Sequence, residues 1–133
     1  MRYLLDTNVC VDFLTGCYPK VAKKLLRLRP DEVAVSAIAV AELRFGAWKS
    51  ARPAENHERL DRLLSDLPAL DFDLEAAAAY GQLRAALEAQ GTPIGPNDML
   101  IAAQALAHEL VLVSADVAEY ERVDGLRLEN WRS

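Results

Sequence analysis

Apolar residues along the chain follow two rhythms. Short apolar runs occur at Tyr3 to Leu5, Val33 to Val35 and Leu110 to Val113, with weaker ones at Ala69 to Phe72 and Leu126 to Leu128. Their length and boundaries predict strands. Between them the apolar positions recur at helical spacing, as at Val21, Ala22, Leu25, Leu26 and Leu28, and at Leu60, Leu63, Leu64 and Leu67. Polar and special residues punctuate the pattern. Thr7 or Asn8 is placed to cap a first helix that runs to about Leu14 and stops at Gly16. Pro19 opens a second helix and Pro30 stops it. Ser36 caps a third, through about Lys49, and Pro53 separates it from a fourth. Asp73 caps a long Ala-rich helix that Gly91 ends. A loop at Pro93 to Pro96 leads into a helix from about Asn97 to His108, and Asp124-Gly125 marks a turn before the last strand.

Strands that alternate with helices predict an α/β fold. The expected form is a short, mostly parallel sheet flanked by helices on both faces, in one domain spanning residues 1–133. No repeat, low-complexity tract or linker divides the chain. In such open sheets a ligand site lies beyond the carboxyl ends of the strands, so the acids there carry the interest. Asp6 directly follows the first strand. Asp116 follows the Leu110–Val113 strand after Ser114 and Ala115. Asp98 falls in the first turn of the helix leading into that strand. Glu42 sits among Ala39, Val40, Ala41 and Leu43, where burial of a carboxylate is costly unless it is paired or bound to a cation.

Each acid has a plain structural alternative. Asp6 can act as a helix cap, Glu42 can face solvent, Asp98 can be a partner of the helix dipole, and Asp116 can be a turn residue. Taken together, four acids from separate elements form a hard oxygen donor set suited to Mg²⁺ or Mn²⁺, cations that keep waters and bind phosphates. Zinc does not fit, because His57 and His108 have no partners at ligand spacing and the cysteines supply none.

Composition narrows the setting. The chain has 133 residues, 52% hydrophobic and 26% charged, which is an ordinary globular balance with enough length for a core. No apolar run approaches a membrane span, and the richest, Ile101 to Val113, is interrupted by Gln104, His108 and Glu109. The apolar start before Asp6 is too short for a secretory signal, which points to the cytoplasm. If Cys10 and Cys17 shared a helix, their Cα atoms would lie about 10 Å apart, beyond disulfide reach. Both are expected as reduced thiols in packing positions. The net charge of −5 counts against nucleic acid as a whole-molecule argument, yet the charge is uneven. Lys20, Lys23, Lys24, Arg27 and Arg29 cluster early, and Arg44, Lys49 and Arg52 follow. These residues form either a solvated helix face or a patch for phosphates.

The words around the acids resemble one family. Tyr-Leu-Leu-Asp-Thr-Asn-Val (Tyr3–Val9), Ser-Ala-Ile-Ala-Val-Ala-Glu-Leu-Arg-Phe-Gly (Ser36–Gly46) and Pro-Ile-Gly-Pro-Asn-Asp-Met-Leu-Ile-Ala-Ala-Gln-Ala (Pro93–Ala105) resemble, in order, the motifs of PIN domains. Leu-Val-Ser-Ala-Asp (Leu112–Asp116) and Arg-Val-Asp-Gly-Leu-Arg-Leu-Glu-Asn-Trp (Arg122–Trp131) are similar to the ending of VapC-type toxins within that family. The resemblance implies a Mg²⁺-dependent ribonuclease, with Mn²⁺ as a second usable ion. It carries Asp6, Glu42, Asp98 and Asp116 over as catalytic and metal-binding acids, with Thr7 and Asn8 beside the first. It also implies 5′-phosphate and 3′-hydroxyl products and inhibition by a small VapB-like antitoxin. A homodimer and a toxin–antitoxin hetero-oligomer are implied too, with Trp48 or Trp131 as candidate dimer contacts. Val11, Phe13, Leu14, Phe45, Ala47 and Trp48 are candidates for a groove that takes a partner helix. Ser114 stands where the family usually has Thr, and the position of Asp116 varies between Asp and Asn.

Three rival readings remain distinguishable. A receiver-type phosphotransfer module needs an acidic pair after the first strand and a Lys after a later one; Thr7-Asn8 and Ser114-Ala115 stand there instead. A dinucleotide-binding fold needs Gly-x-Gly-x-x-Gly after a strand, and none is present. A non-catalytic binding module on a PIN scaffold would not need all four acids.

Overall fold

The computed structural model describes residues 1–133. Its strands are β1 (Tyr3–Leu5), β2 (Val33–Ser36), β3 (Ala69–Leu70), β4 (Val111–Val113) and β5 (Leu128–Glu129). The helices are α1 (Thr7–Thr15), α2 (Pro19–Leu26), α3 (Ala37–Lys49), α4 (Pro53–Asp66), α5 (Leu74–Gln90), α6 (Pro96–Ala107) and the short α7 (Val117–Tyr120). The sheet order is β3-β2-β1-β4-β5, and every pairing is parallel. The registers Leu4 with Ala34 and Leu4 with Leu112 set β1 at the centre.

The apolar runs become strands because both of their faces are covered. Every residue of β1, β2 and β4 is buried, and side chains alternate between faces along a strand. Right-handed crossovers place α1 to α4 on one face, since β1 to β2 to β3 advance in one direction. The return to β4 reverses that direction and puts α5 and α6 on the other face. The packing agrees: α1 meets α2 and α3, α3 meets α4, and α5 lies along α6. Helix α6 is the most enclosed, with Ile101, Ala102 and Ala103 fully buried. Gln104, also fully buried, is satisfied on both ends: Oε1 accepts from Ser36 Oγ at 2.5 Å and Nε2 donates to the Leu70 carbonyl at 2.8 Å. That pair of bonds fixes α6 against β2 and β3.

Several expected details change. Asp6, not Thr7 or Asn8, caps α1: its Oδ1 accepts from the Val9 amide at 3.3 Å, and Thr7 and Asn8 are the first helical residues. Helix α2 ends at Leu26, and Pro30 begins a single 3₁₀ turn. The last strand starts at Leu128. Cys10 is core, but Cys17 is exposed, so only the first is a packing group. Trp131 is also core, 2% exposed, with its ring edge-on to Tyr3 at 5.3 Å between centroids; it is not available for a dimer contact. Trp48 is 71% exposed. Lys20, Lys23, Lys24, Arg27 and Arg29 are exposed on and after α2, where Lys24 pairs with Glu129 at 3.5 Å. No helix is long and apolar enough to cross a membrane.

Candidate metal centre

The strand order reverses between β1 and β4, and the carboxyl ends at such a switch point are where open sheets of this kind place their ligand sites. Asp6 and Ser114 stand at that edge. Helix α6 runs into β4 from above, which brings its first turn, with Asp98, to the same edge. Its far end, His108, is about 15 Å away along the axis.

Asp6 is 3% exposed. Burial pushes its carboxyl up to about 7, and the nearby Asp98 and Asp116 charges push the same way; hydrogen bonding with Ser114 and the Val9 amide only partly offsets this. Burial also pushes the Cys10 thiol up to about 12, with a contribution from the Asp6 charge. That thiol is inert packing. Asn8 stitches the two strand ends together. Its Oδ1 accepts from the Ala115 amide at 3.3 Å and its Nδ2 donates to Ser114 Oγ at 3.5 Å. Ser114 Oγ also accepts from the Asp116 amide at 2.9 Å, which shapes the turn beyond β4.

The tightest carboxylate group is Asp98, Asp116 and Glu119, each offering an oxygen within 4.8 Å of the others. Asp116 is held above the ordinary carboxyl range, first by its hydrogen bond with Glu119 and then by burial. Asp98 Oδ1 accepts from the Tyr120 hydroxyl at 3.0 Å. Glu119 Oε1 accepts from the Gly95 amide at 2.5 Å. A Cβ on Gly95 would lie 3.2 Å from Asp98 Oδ2 and 3.4 Å from Glu119 Oε1, so this glycine lets the backbone approach both acids. Glu42 stands apart from that group. It is half-buried, and its Oε1 accepts from Thr7 Oγ1 at 2.6 Å, which ties α3 to the residue beside Asp6.

Of the four acids singled out by sequence, Asp98 and Asp116 are therefore brought together. Asp6 is their electrostatic neighbour, and Glu42 is linked through Thr7. Glu119 was missed. Its spacing three residues after Asp116 was the available signal, but α7 is too short for periodicity to reveal. The donor set is all oxygen. Neither histidine contributes: His108 Nε2 pairs with Asp73 Oδ2 at 2.7 Å, and His57 lies against Arg44 and Trp48. Three carboxylates this close, with the buried Asp6 carboxyl as their electrostatic neighbour, are a donor set that suits a hard divalent cation.

A family model for the PIN domain matches residues 3–126. The chain belongs to the PIN-domain family, in its VapC branch. It is 37% identical to the tRNA(fMet)-specific endonuclease VapC of Salmonella typhimurium over 131 residues, 98% of each chain. It is 40% identical to ribonuclease VapC2 of Rickettsia felis over 133 residues, again 98% of each. Its fold superimposes on a chain in the crystal structure of DNA-bound VapBC from Salmonella typhimurium with a TM-score of 0.93 and 36% identity, covering 98% of both chains.

Proposed function

We propose that residues 1–133 form one PIN domain working as the cytoplasmic toxin of a type II toxin–antitoxin pair: a Mg²⁺-dependent endoribonuclease inhibited by a small VapB-like antitoxin. The observation that carries this reading is the cluster of carboxylates Asp98, Asp116 and Glu119 beside Asp6 at the β1–β4 switch point, in a chain whose relatives are named ribonucleases. Asp6 and Asp98 hold the cation, with Asp116 and Glu42 completing the four-acid site and Glu119 reinforcing it. When bound, Mg²⁺ lowers the pKa of a water and offsets charge on the phosphoryl oxygens.

The protein's own groups do the rest. Asp98 and Asp116, with oxygens within 4.8 Å of each other, orient the attacking water in line with the scissile phosphodiester. Glu42 has Oε1 occupied by Thr7, which leaves Oε2 to take the water's proton; Asp116 is the other candidate base. The P–O3′ bond breaks, the 3′-oxygen takes a proton from solvent water and leaves as a hydroxyl, and the new end carries the 5′-phosphate. Attack by a ribose 2′-hydroxyl needs an acid–base pair that the engaged histidines do not supply.

The antitoxin reading rests on a groove of about 320 Å³ between α1, α3 and α4. Val11 and Leu14 line one wall and Leu43 and Gly46 another, with Glu42 and Thr7 at one end. Phe45 and Trp48 lie exposed alongside, at 66% and 71%. An apolar partner helix seated there would end beside the acids, where an Arg could pair with them. The VapBC structures of relatives give the partner type to test, and a homodimer is the expected further assembly.

Purified chain incubated with tRNA or total RNA tests the activity. Cleavage that requires Mg²⁺, stops with EDTA and leaves 5′-phosphate ends supports the reading. Metal-independent cleavage or none would return it to a binding module. Co-expression with the neighbouring small open reading frame should yield a complex without activity.

A further inference from the structure

Tyr120 is completely buried, yet its ring carries a hydroxyl. A buried phenol has to find a partner, and this one donates to Asp98 Oδ1 at 3.0 Å. The next residue back on α7, Glu119, takes the Gly95 amide on Oε1. Helix α7 therefore grips the start of α6 twice, once by backbone and once by the acid itself. Gly95 closes the other side, because a Cβ there would lie only 3.2 Å from Asp98 Oδ2 and would press on it. The Asp98 carboxylate is confined between these contacts, and Oδ2 accepts no hydrogen bond from the protein. Burial and the surrounding acids hold the phenol strongly in its protonated form, so it acts as a fixed donor.

We propose that Tyr120 is a positioning residue for Asp98: its hydroxyl locks the carboxylate rotamer and leaves Oδ2 aimed at the cation shared with Asp116 and Glu119. The proposal rests on the metal-nuclease reading above. Groups that hydrogen-bond a metal ligand orient it before binding, and losing one costs about 10- to 100-fold in metal affinity. A phenylalanine ring would fill the same core volume, so packing alone does not call for the hydroxyl.

The test compares the full chain with its Tyr120→Phe variant, using Mn²⁺ as the probe in titration calorimetry and in thermal melts. The variant should bind Mn²⁺ about tenfold more weakly and gain correspondingly less melting temperature from it. The Mn²⁺ concentration giving half-maximal RNA cleavage should rise by the same factor, and saturating Mn²⁺ should restore the rate. Gly95→Ala presses Asp98 from the opposite side at a backbone conformation alanine accepts (φ −55°, ψ 145°), and it should weaken Mn²⁺ binding as well. A hydroxyl that serves only the core would lower the melting temperature equally with and without Mn²⁺ and leave the dissociation constant unchanged. That result overturns the proposal. If the wild type itself binds no Mn²⁺, the metal-centre reading falls with it; if the wild type binds and Tyr120→Phe binds equally, only the positioning role falls.

Discussion

Replacing Asp98 by Asn separates a metal ligand from a helix-dipole partner. Asp98, Asp116 and Glu119 place oxygens within 4.8 Å of one another. At that distance two unit charges repel by roughly 3.5 kcal/mol at an effective dielectric of about 20, and by about 0.9 kcal/mol in bulk water. Asp116 is exposed, so the lower part of that range applies to pairs with it. Asp98→Asn removes two such repulsions and relieves Asp6. It keeps an oxygen for the Tyr120 hydroxyl and costs about 0.3–1 kcal/mol of helix-dipole stabilisation. Relief outweighs the loss, so in EDTA the variant should melt at or above the wild-type temperature. In Mg²⁺ the wild type should gain stability by linkage, about 2.7 kcal/mol at a hundred times its dissociation constant, while the variant gains little. RNA cleavage should collapse. Melts with EDTA and with Mg²⁺, run beside a cleavage assay, read all three. A variant that is destabilised in EDTA and still cuts RNA would refute the assignment.

Other substitutions and conditions test separate parts of the site. Asp6 has its folded pKa raised to about 7 from 3.8, so the folded state binds the extra proton more tightly. Without metal, stability should be greatest below about pH 4 as far as this group is concerned and fall as pH rises through about 7, visible as a downward slope in denaturant midpoints that Asp6→Asn flattens. Because the proton and the cation compete for Asp6, apparent Mg²⁺ affinity should strengthen over the same window. Glu119→Gln keeps an oxygen for the Gly95 amide but drops a charge; it should raise the metal requirement for cleavage, and an unchanged requirement would reduce Glu119 to a backbone cap. Val11→Glu, at a position 42% exposed, should shift stability by no more than about 0.5 kcal/mol and leave cleavage intact, yet abolish co-purification with the antitoxin. Asp12→Ala breaks a two-pronged bond to Arg132 (2.6 and 2.9 Å) made by a carboxylate that is 4% exposed, and should cost about 1.5–3 kcal/mol in unfolding measurements.

The parts of the fold that sequence made legible are those with strong local chemistry. Ser36, Asp73, Gly91 and Pro53 act where their capping or breaking preferences placed them. The runs at β1, β2 and β4 read as strands because burial on both faces removes alternation and leaves continuous apolar words. The edge strands β3 and β5 shrink to two residues each, since an edge position needs less apolar sequence than Ala69–Phe72 or Leu126–Leu128 supplies. Asp6 shows that capping a helix does not remove an acid from the place where a site is expected. A residue that ends a buried strand and starts a helix must turn its side chain toward the first-turn amides, and that same turn puts it at the switch point. Trp131 and Cys17 were misjudged because burial of a lone residue depends on distant elements: Tyr3 covers the tryptophan, and nothing covers the thiol.

Glu119 and Tyr120 mark the limit of local reasoning and also explain how the site is held. A helix of four residues leaves no periodicity, and the side chains of Glu119 and Tyr120 bond to Gly95 and Asp98, more than twenty positions earlier. The three tight carboxylates come from two elements, the start of α6 and the segment after β4, that meet only when the long crossover through α5 and α6 is complete. Such a cluster adds repulsion and so works against the fold that builds it. It persists because each acid is gripped by a neutral donor: Val9 and Ser114 on Asp6, Thr7 on Glu42, Tyr120 on Asp98, the Glu119 amide on Asp116 and Gly95 on Glu119. None of these donors brings a compensating positive charge. Two guanidiniums lie in range but pair elsewhere: Arg132 with Asp12, and Arg122, whose charge is felt at Asp116, with the Pro93 carbonyl. The site thus holds its carboxyls in order while burial of Asp6, the hydrogen bond between Asp116 and Glu119, and mutual repulsion push Asp6 and Asp116 toward protonation, strain that a bound divalent cation would relieve.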